Sequence, residues 1–117
     1  MKTQSLSFCG AQGAQCLQVM VAASMLARLR GLLGRAPLGN DQGMLLRACN
    51  LIHTVGMRYP IDLVFMRKDG QVLKICEAVA PRRARGHLRA HCVLELAAGA
   101  ARRSGIVLGM RLPLEAL

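Results

Sequence analysis

The chain has 117 residues, 53% of them hydrophobic, which leaves room for one domain and is enough to bury a core without disulfide or metal staples. Sixteen Lys and Arg against six Asp and Glu give a net charge of +10, which turns attention to nucleic acid, anionic surfaces and acidic ligands. With no Trp, one Tyr and two Phe the core must be aliphatic, and five cysteines without a CxxC pair argue against a secreted disulfide scaffold.

Residues 1–16 show little periodicity and are expected to be ragged, with at most a short edge strand from Leu6 to Cys9. Gln and Gly interrupt this N-terminus, so no run of signal-peptide length appears. Leu17 to Ala22 reads as a strand. Ser24 then stands as an N-cap, and Met25, Leu26, Leu29, Leu32 and Leu33 recur at helical spacing up to Gly34. The apolar stretch from Leu17 to Leu33 is broken by Gln18, Ser24, Arg28 and Arg30, so no membrane span is expected. The thiols are expected to be reduced and mostly packed as small hydrophobes, in a cytoplasmic protein.

The stretch from Ala36 to Gly43 is dense in breakers and reads as a loop. Met44 to Arg47 is a predicted strand. Cys49 to Tyr59 has no clear period and ends at Pro60, which favours extended geometry at Tyr59. Ile61 to Met66 and Val72 to Glu77 form a predicted hairpin around Lys68-Asp69-Gly70. Pro81 to His91 is basic and irregular. Val93 to Leu96 is a further strand, followed by a helical turn over Ala97 to Arg103 with Gly105 at its C′ position. Ile106 to Leu112 is expected to close the sheet. The sum is a single α+β domain over residues 1–117, mainly antiparallel β, with one or two short helices.

Several phrases in this order resemble a known family. Arg28-Leu-Arg-Gly-Leu-Leu-Gly-Arg35 is followed by Gly43-Met-Leu-Leu-Arg47, then by His53-Thr-Val-Gly-Met-Arg-Tyr-Pro-Ile-Asp62 with Leu63-Val-Phe. Asp69-Gly70, Leu94-Glu-Leu-Ala-Ala-Gly99, Gly105 and Gly109 complete the pattern. Over about residues 17–112 the chain resembles the domain of unknown function 192 family, in what looks like a His-Thr branch. Ala97 stands where a Pro is usual in that family. The resemblance implies a compact, β-rich, barrel-like fold and carries no established activity. Many similar proteins bear a signal peptide or membrane anchor that this N-terminus does not show.

Two acids fall inside apolar strands. Asp62 lies between Ile61 and Leu63, and Glu95 between Leu94 and Leu96. A buried carboxylate needs a partner, and Arg28, off the helix stripe, is the expected one for Asp62. The functional reading is an inward polar cluster of Arg28, Asn50, His53, Thr54, Asp62 and Glu95 that binds a small polar or anionic ligand. The alternative is that these groups fix register and satisfy loop amides.

A second surface is basic: Arg82, Arg83, Arg85 and Arg89, extended by Arg102 and Arg103, is the candidate for nucleic acid. It lacks interleaved aromatics for base stacking. His87 and His91 are four apart, but Gly86 and the surrounding Arg make a metal helix a poor reading, and no cofactor motif or Gly-rich phosphate loop is present. An enzyme using His53 and Asp62 would lack an accompanying nucleophile or metal set. The leading expectation is therefore a non-enzymatic binding or accessory module, its partner a small ligand or a protein. A nucleic-acid-associated protein is the alternative.

Overall fold

The computed structural model describes residues 3–22 and 35–117, so the helix expected from Ser24 to Gly34, with Arg28, lies outside the described residues. The strands run β1 (Thr3–Gly10), β2 (Gly13–Ala22), β3 (Gln42–Arg47), β4 (Leu51–His53), β5 (Ile61–Met66), β6 (Val72–Val79), β7 (Ala84–Gly86) and β8 (Cys92–Ala97). A short helix, α1 (Ala100–Arg103), follows β8, and a 3-10 turn spans Leu114–Ala116. Six strands form one sheet in the order β1-β2-β3-β8-β5-β6, and β4 and β7 form a separate two-stranded ribbon. All pairings are antiparallel except β2 with β3. The α+β, mainly antiparallel expectation holds. The sheet stays open, with β1 and β6 as its outer strands, so the fold is barrel-like only loosely and does not close into a barrel.

The N-terminus departs from its ragged expectation. Phe8 and Leu6 alternate with exposed Ser5, Ser7 and Cys9, and this two-residue period lets β1 pair with β2 in unbroken register from Thr3↔Met20 to Gly10↔Gly13. At the other end, Ile106 to Leu112 adds no strand. It makes one bridge, Gln71↔Arg111, because Gly105 and Gly109 both hold positive φ and turn the backbone away from a ladder.

Strand alternation sorts the core into two layers. Leu45, Val64, Met66, Leu94 and Leu96 lie on one face of the sheet, beneath Ala100 and Ala101 of α1. Met44, Leu46, Leu63, Phe65 and Val93 lie on the other, beneath Ile52 of the ribbon. β5 is buried at all six positions, as expected of a central strand covered on both faces. Among the described residues no helix is long and apolar enough to cross a membrane. The cysteines are less buried than expected: only Cys92 is fully buried, Cys49 and Cys76 are half-buried, and Cys9 and Cys16 are exposed.

Candidate functional site

Asp62 is wholly buried in the central strand β5, and a bulge in its neighbour strand supplies one of its partners. Ile61 pairs with Val79 and Leu63 with Cys76, so two residues of β6, Glu77 and Ala78, stand opposite Asp62 alone. Ala78 takes a left-handed φ of 48° there, and its amide is turned out of the ladder. Asp62 Oδ1 accepts that amide at 2.8 Å. Its other oxygen, Oδ2, accepts the amide of Ala101 at 3.0 Å, one of the first-turn donors of α1 that no helix carbonyl can satisfy. The described partners of this carboxylate are two backbone amides, whereas Arg28 was the expected partner.

The register then separates the two buried acids. Leu63 faces Glu95 and Asp62 faces Leu96 across the β5–β8 pair. Directly opposed residues share a face, so Asp62 points to the α1 layer and Glu95 to the ribbon layer. On that second side Glu95 lies near Tyr59, whose hydroxyl donates to the carbonyls of Arg35 at 3.0 Å and Ala36 at 3.3 Å. Burial, and then the Glu95 charge, push the Tyr59 phenol above its ordinary value against the opposing pull of Arg35.

Thr54 is buried and structural in its contacts. Its hydroxyl donates to the Ala80 carbonyl at 2.7 Å and accepts the Arg83 amide at 2.8 Å, clamping the loop after β4 to the segment before β7. Asn50 and His53 are exposed. Of the six residues expected to form one inward cluster, Arg28 lies outside the described residues and the other five are not brought together: Asp62 and Glu95 are on opposite faces, and Asn50 and His53 are at the surface.

The basic residues also divide. Arg102 and Arg103 sit on α1, over the first core layer, where Arg102 makes a bidentate ion pair with Glu77 at 3.1 and 3.0 Å. That bond holds the Glu77 carboxyl below its usual range. Arg103 donates to Asn40 at 2.6 Å. Arg82, Arg83, Arg85 and Arg89 belong to β7 and its flanks, over the other face. The contacts made there by Arg83 and Arg85 are to neighbouring carbonyls, of Arg82 at 3.2 Å and Ala84 at 2.8 Å. Five of the six acids are engaged elsewhere: Asp62 and Glu95 inside the sheet, Glu77 on Arg102, Glu115 on Arg111, and Asp69 on the amide of Gln71; the sixth, Asp41, is exposed just before β3. The ribbon is fixed to the sheet by Lys74, whose Nζ donates to the Gly86 carbonyl at 3.0 Å and lies 5.9 Å from the Phe65 ring centroid.

The same ribbon and the turns that follow its strands carry three large aliphatic side chains in water: Leu51 of β4 at 65% exposure, Val55 at 59% and Leu88 at 96%. Sequence reasoning missed them. The available signal was Leu88, alone between His87 and Arg89 in a run of charged residues. On the opposite side, a groove of about 500 Å³ is bordered by Ile75, Glu77, Ala101, Arg102, Ile106 and Leu108. Among the described residues no three of His, Cys, Asp and Glu converge as a metal site would require.

A family model described as "Uncharacterized ACR", DUF192, matches residues 8–114. None of the curated proteins compared matches the chain. Two solved structures are similar over almost its full length. A protein of unknown function from Novosphingobium aromaticivorans DSM 12444 is 22% identical, with a TM-score of 0.83, covering 94% of this chain and 84% of its own. A protein from Sinorhizobium meliloti 1021 described as a "putative transcription regulator" is 27% identical, with a TM-score of 0.84, covering 95% of this chain and 92% of its own.

Proposed function

The chain belongs to the DUF192 family, and from that footing we propose that it is a non-enzymatic binding module that takes a phosphate-bearing polyanion on the β4–β7 ribbon. One observation carries the reading: Arg82, Arg83, Arg85 and Arg89 lie on β7 and its flanks, while Asp62 and Glu95 are buried in the sheet, Glu77, Glu115 and Asp69 are bonded elsewhere, and the remaining acid, Asp41, stands just before β3. Guanidinium groups clustered without local carboxylates make a surface of positive potential, and phosphate is the anion their planar fork fits best. The description of the Sinorhizobium meliloti neighbour is consistent with a nucleic acid as such a polyanion.

An enzyme built on His53 and Asp62 finds no support in this geometry, because both Asp62 oxygens are held by amides inside the protein. A small polar or anionic ligand remains a second reading. It is favoured by the groove beside α1, where Arg102 stands at the border and Ala101 is the residue bonded to Asp62.

The test uses short duplex DNA of arbitrary sequence as the phosphate polymer. If four arginines engage phosphates, log affinity should fall with log salt at a slope of about −3.6. The variant with Arg82, Arg83 and Arg89 changed to Gln should bind far more weakly and with a shallower slope. A flat salt response, or unchanged binding by the variant, overturns the reading.

A further inference from the structure

The ribbon and its flanking turns, which hold the arginines, also hold three of the five large hydrophobic side chains left in water among the described residues. Their placement follows from the strand pairing. Leu51 and His53 alternate outward around buried Ile52, and the residues opposite them, Gly86 and Ala84, are small. A Cβ on Gly86 would stand 3.1 Å from Leu51 Cδ1, so the missing side chain leaves Leu51 room to lie across the ribbon. Val55 lies in the turn that follows β4, and that turn is tied to Arg83 and Arg82 through Thr54: the Thr54 amide donates to the Arg83 carbonyl at 2.8 Å, and the Arg82 amide to the Thr54 carbonyl at 3.2 Å.

Leu88 is held out by a tight turn. The Ala90 amide donates to the His87 carbonyl at 3.0 Å, and the Arg89 amide to His87 Nδ1 at 3.1 Å. The base of the turn is bonded on both sides, from the His87 amide to Asn50 at 3.1 Å and from the His91 amide to Met66 at 2.8 Å. A leucine at 96% exposure on so well-tied a turn gains nothing from its own fold.

Exposed aliphatic side chains on an arginine-rich ribbon and its turns suit one kind of phosphate surface better than another. A nucleic acid offers phosphates to the guanidinium groups, and it would use aromatic side chains for its bases, which this ribbon lacks. An anionic bilayer offers both parts: headgroup phosphates for the cations and an acyl boundary for the aliphatics just below them. We infer that the polyanion bound by the β4–β7 ribbon is the surface of an anionic lipid membrane, with Leu88, Leu51 and Val55 entering the interface beside the exposed Arg82, Arg83 and Arg89. The inference rests on the reading of the ribbon as a phosphate-binding surface and names its partner.

The experiment is co-sedimentation of the full chain with vesicles of phosphatidylglycerol and phosphatidylcholine, against vesicles of phosphatidylcholine alone, at low and moderate salt. Binding is expected only to the anionic vesicles and should weaken with salt. Each arginine changed to Gln should lower partitioning about fivefold. Leu88→Ser should lower it about tenfold, and Leu51→Ser in the same direction, while leaving duplex DNA binding unchanged. Both leucines are exposed, so these variants should keep the wild-type melting temperature. Vesicle binding that ignores Leu88→Ser and Leu51→Ser overturns the insertion. Arginine-dependent binding to DNA with none to vesicles overturns the membrane and leaves the phosphate-binding reading standing. Binding to neither removes both.

Discussion

Asp62 and Ala78 face each other across the bulge of β6, with Oδ1 of the aspartate accepting the amide of the alanine at 2.8 Å. A bulge strands one amide, and a carboxylate in the next strand satisfies it. The same side chain reaches Ala101 in α1, so one residue joins the outer strand, the central strand and the helix.

Asp62→Asn should therefore destabilise the fold by more than about 2 kcal/mol, because the amide side chain must turn an N–H toward one of two buried donors. On a domain of this size that is a drop of roughly 8 °C in Tm. An unchanged midpoint in thermal or urea unfolding would show that the two amides find other acceptors.

Gly70 closes the hairpin between β5 and β6 with φ of +93°, and a Cβ there would lie 2.0 Å from the Leu112 carbonyl oxygen. Gly70→Ala has to move the C-terminal segment or break the Leu112 amide bond to the Gly70 carbonyl, which is 3.0 Å long. We expect a loss above about 2 kcal/mol. Urea titration of the variant measures it, and a loss within error would mean that the two backbones separate freely.

Tyr59 is the one tyrosine in a chain without tryptophan, so its alkaline titration can be followed by near-ultraviolet absorbance without interference. It should ionise above its ordinary value of 10.0 in the folded protein, through burial and the Glu95 charge. The unfolded phenol ionises first, so this contribution to stability is intact below that value and is lost as pH rises past it. Tyr59→Phe removes the bonds to the Arg35 and Ala36 carbonyls and should cost about 1 kcal/mol. Titration at the ordinary value would place the phenol in water.

The thiols should separate by reactivity. Burial pushes Cys92 up to about 11, partly opposed by Arg47, while Cys9 and Cys16 are exposed on the outer hairpin. Alkylation followed by mass spectrometry should label Cys9 and Cys16 first and Cys92 only on unfolding. The stability held by neutral Cys92 is complete below the ordinary thiol value of 9.0 and is lost as pH climbs from there to about 11. Cys92→Ala should flatten that decline; a decline of the same slope would assign it to other groups.

Much of the sheet was legible from local pattern. The Ile61–Met66 and Val72–Val79 hairpin announces itself by two apolar runs around Asp69-Gly70, and the burial of Asp62 and Glu95 follows from their apolar neighbours in strand. The brief β4 and β7 strands were not legible, since three residues carry too little periodicity to stand out from a loop.

What the sequence determined by itself was therefore the composition of the layers: which stretches are extended, which acids must be buried, and that arginine would crowd the surface. Which of those groups meet was decided by tertiary structure. Setting Leu63 opposite Glu95 sends Asp62 and Glu95 to opposite faces, because side chains alternate along a strand and pairing register is a property of two segments. The same pairing places α1 over one face and the β4–β7 ribbon over the other, separating Arg102 and Arg103 from the Arg82–Arg89 stretch that they were expected to extend. Local sequence can specify each strand, but the partner that sets its register is far along the chain in the case of β5 and β8, as Ile61↔Ala97 and Met66↔Cys92 show, and only the packed sheet brings the two together.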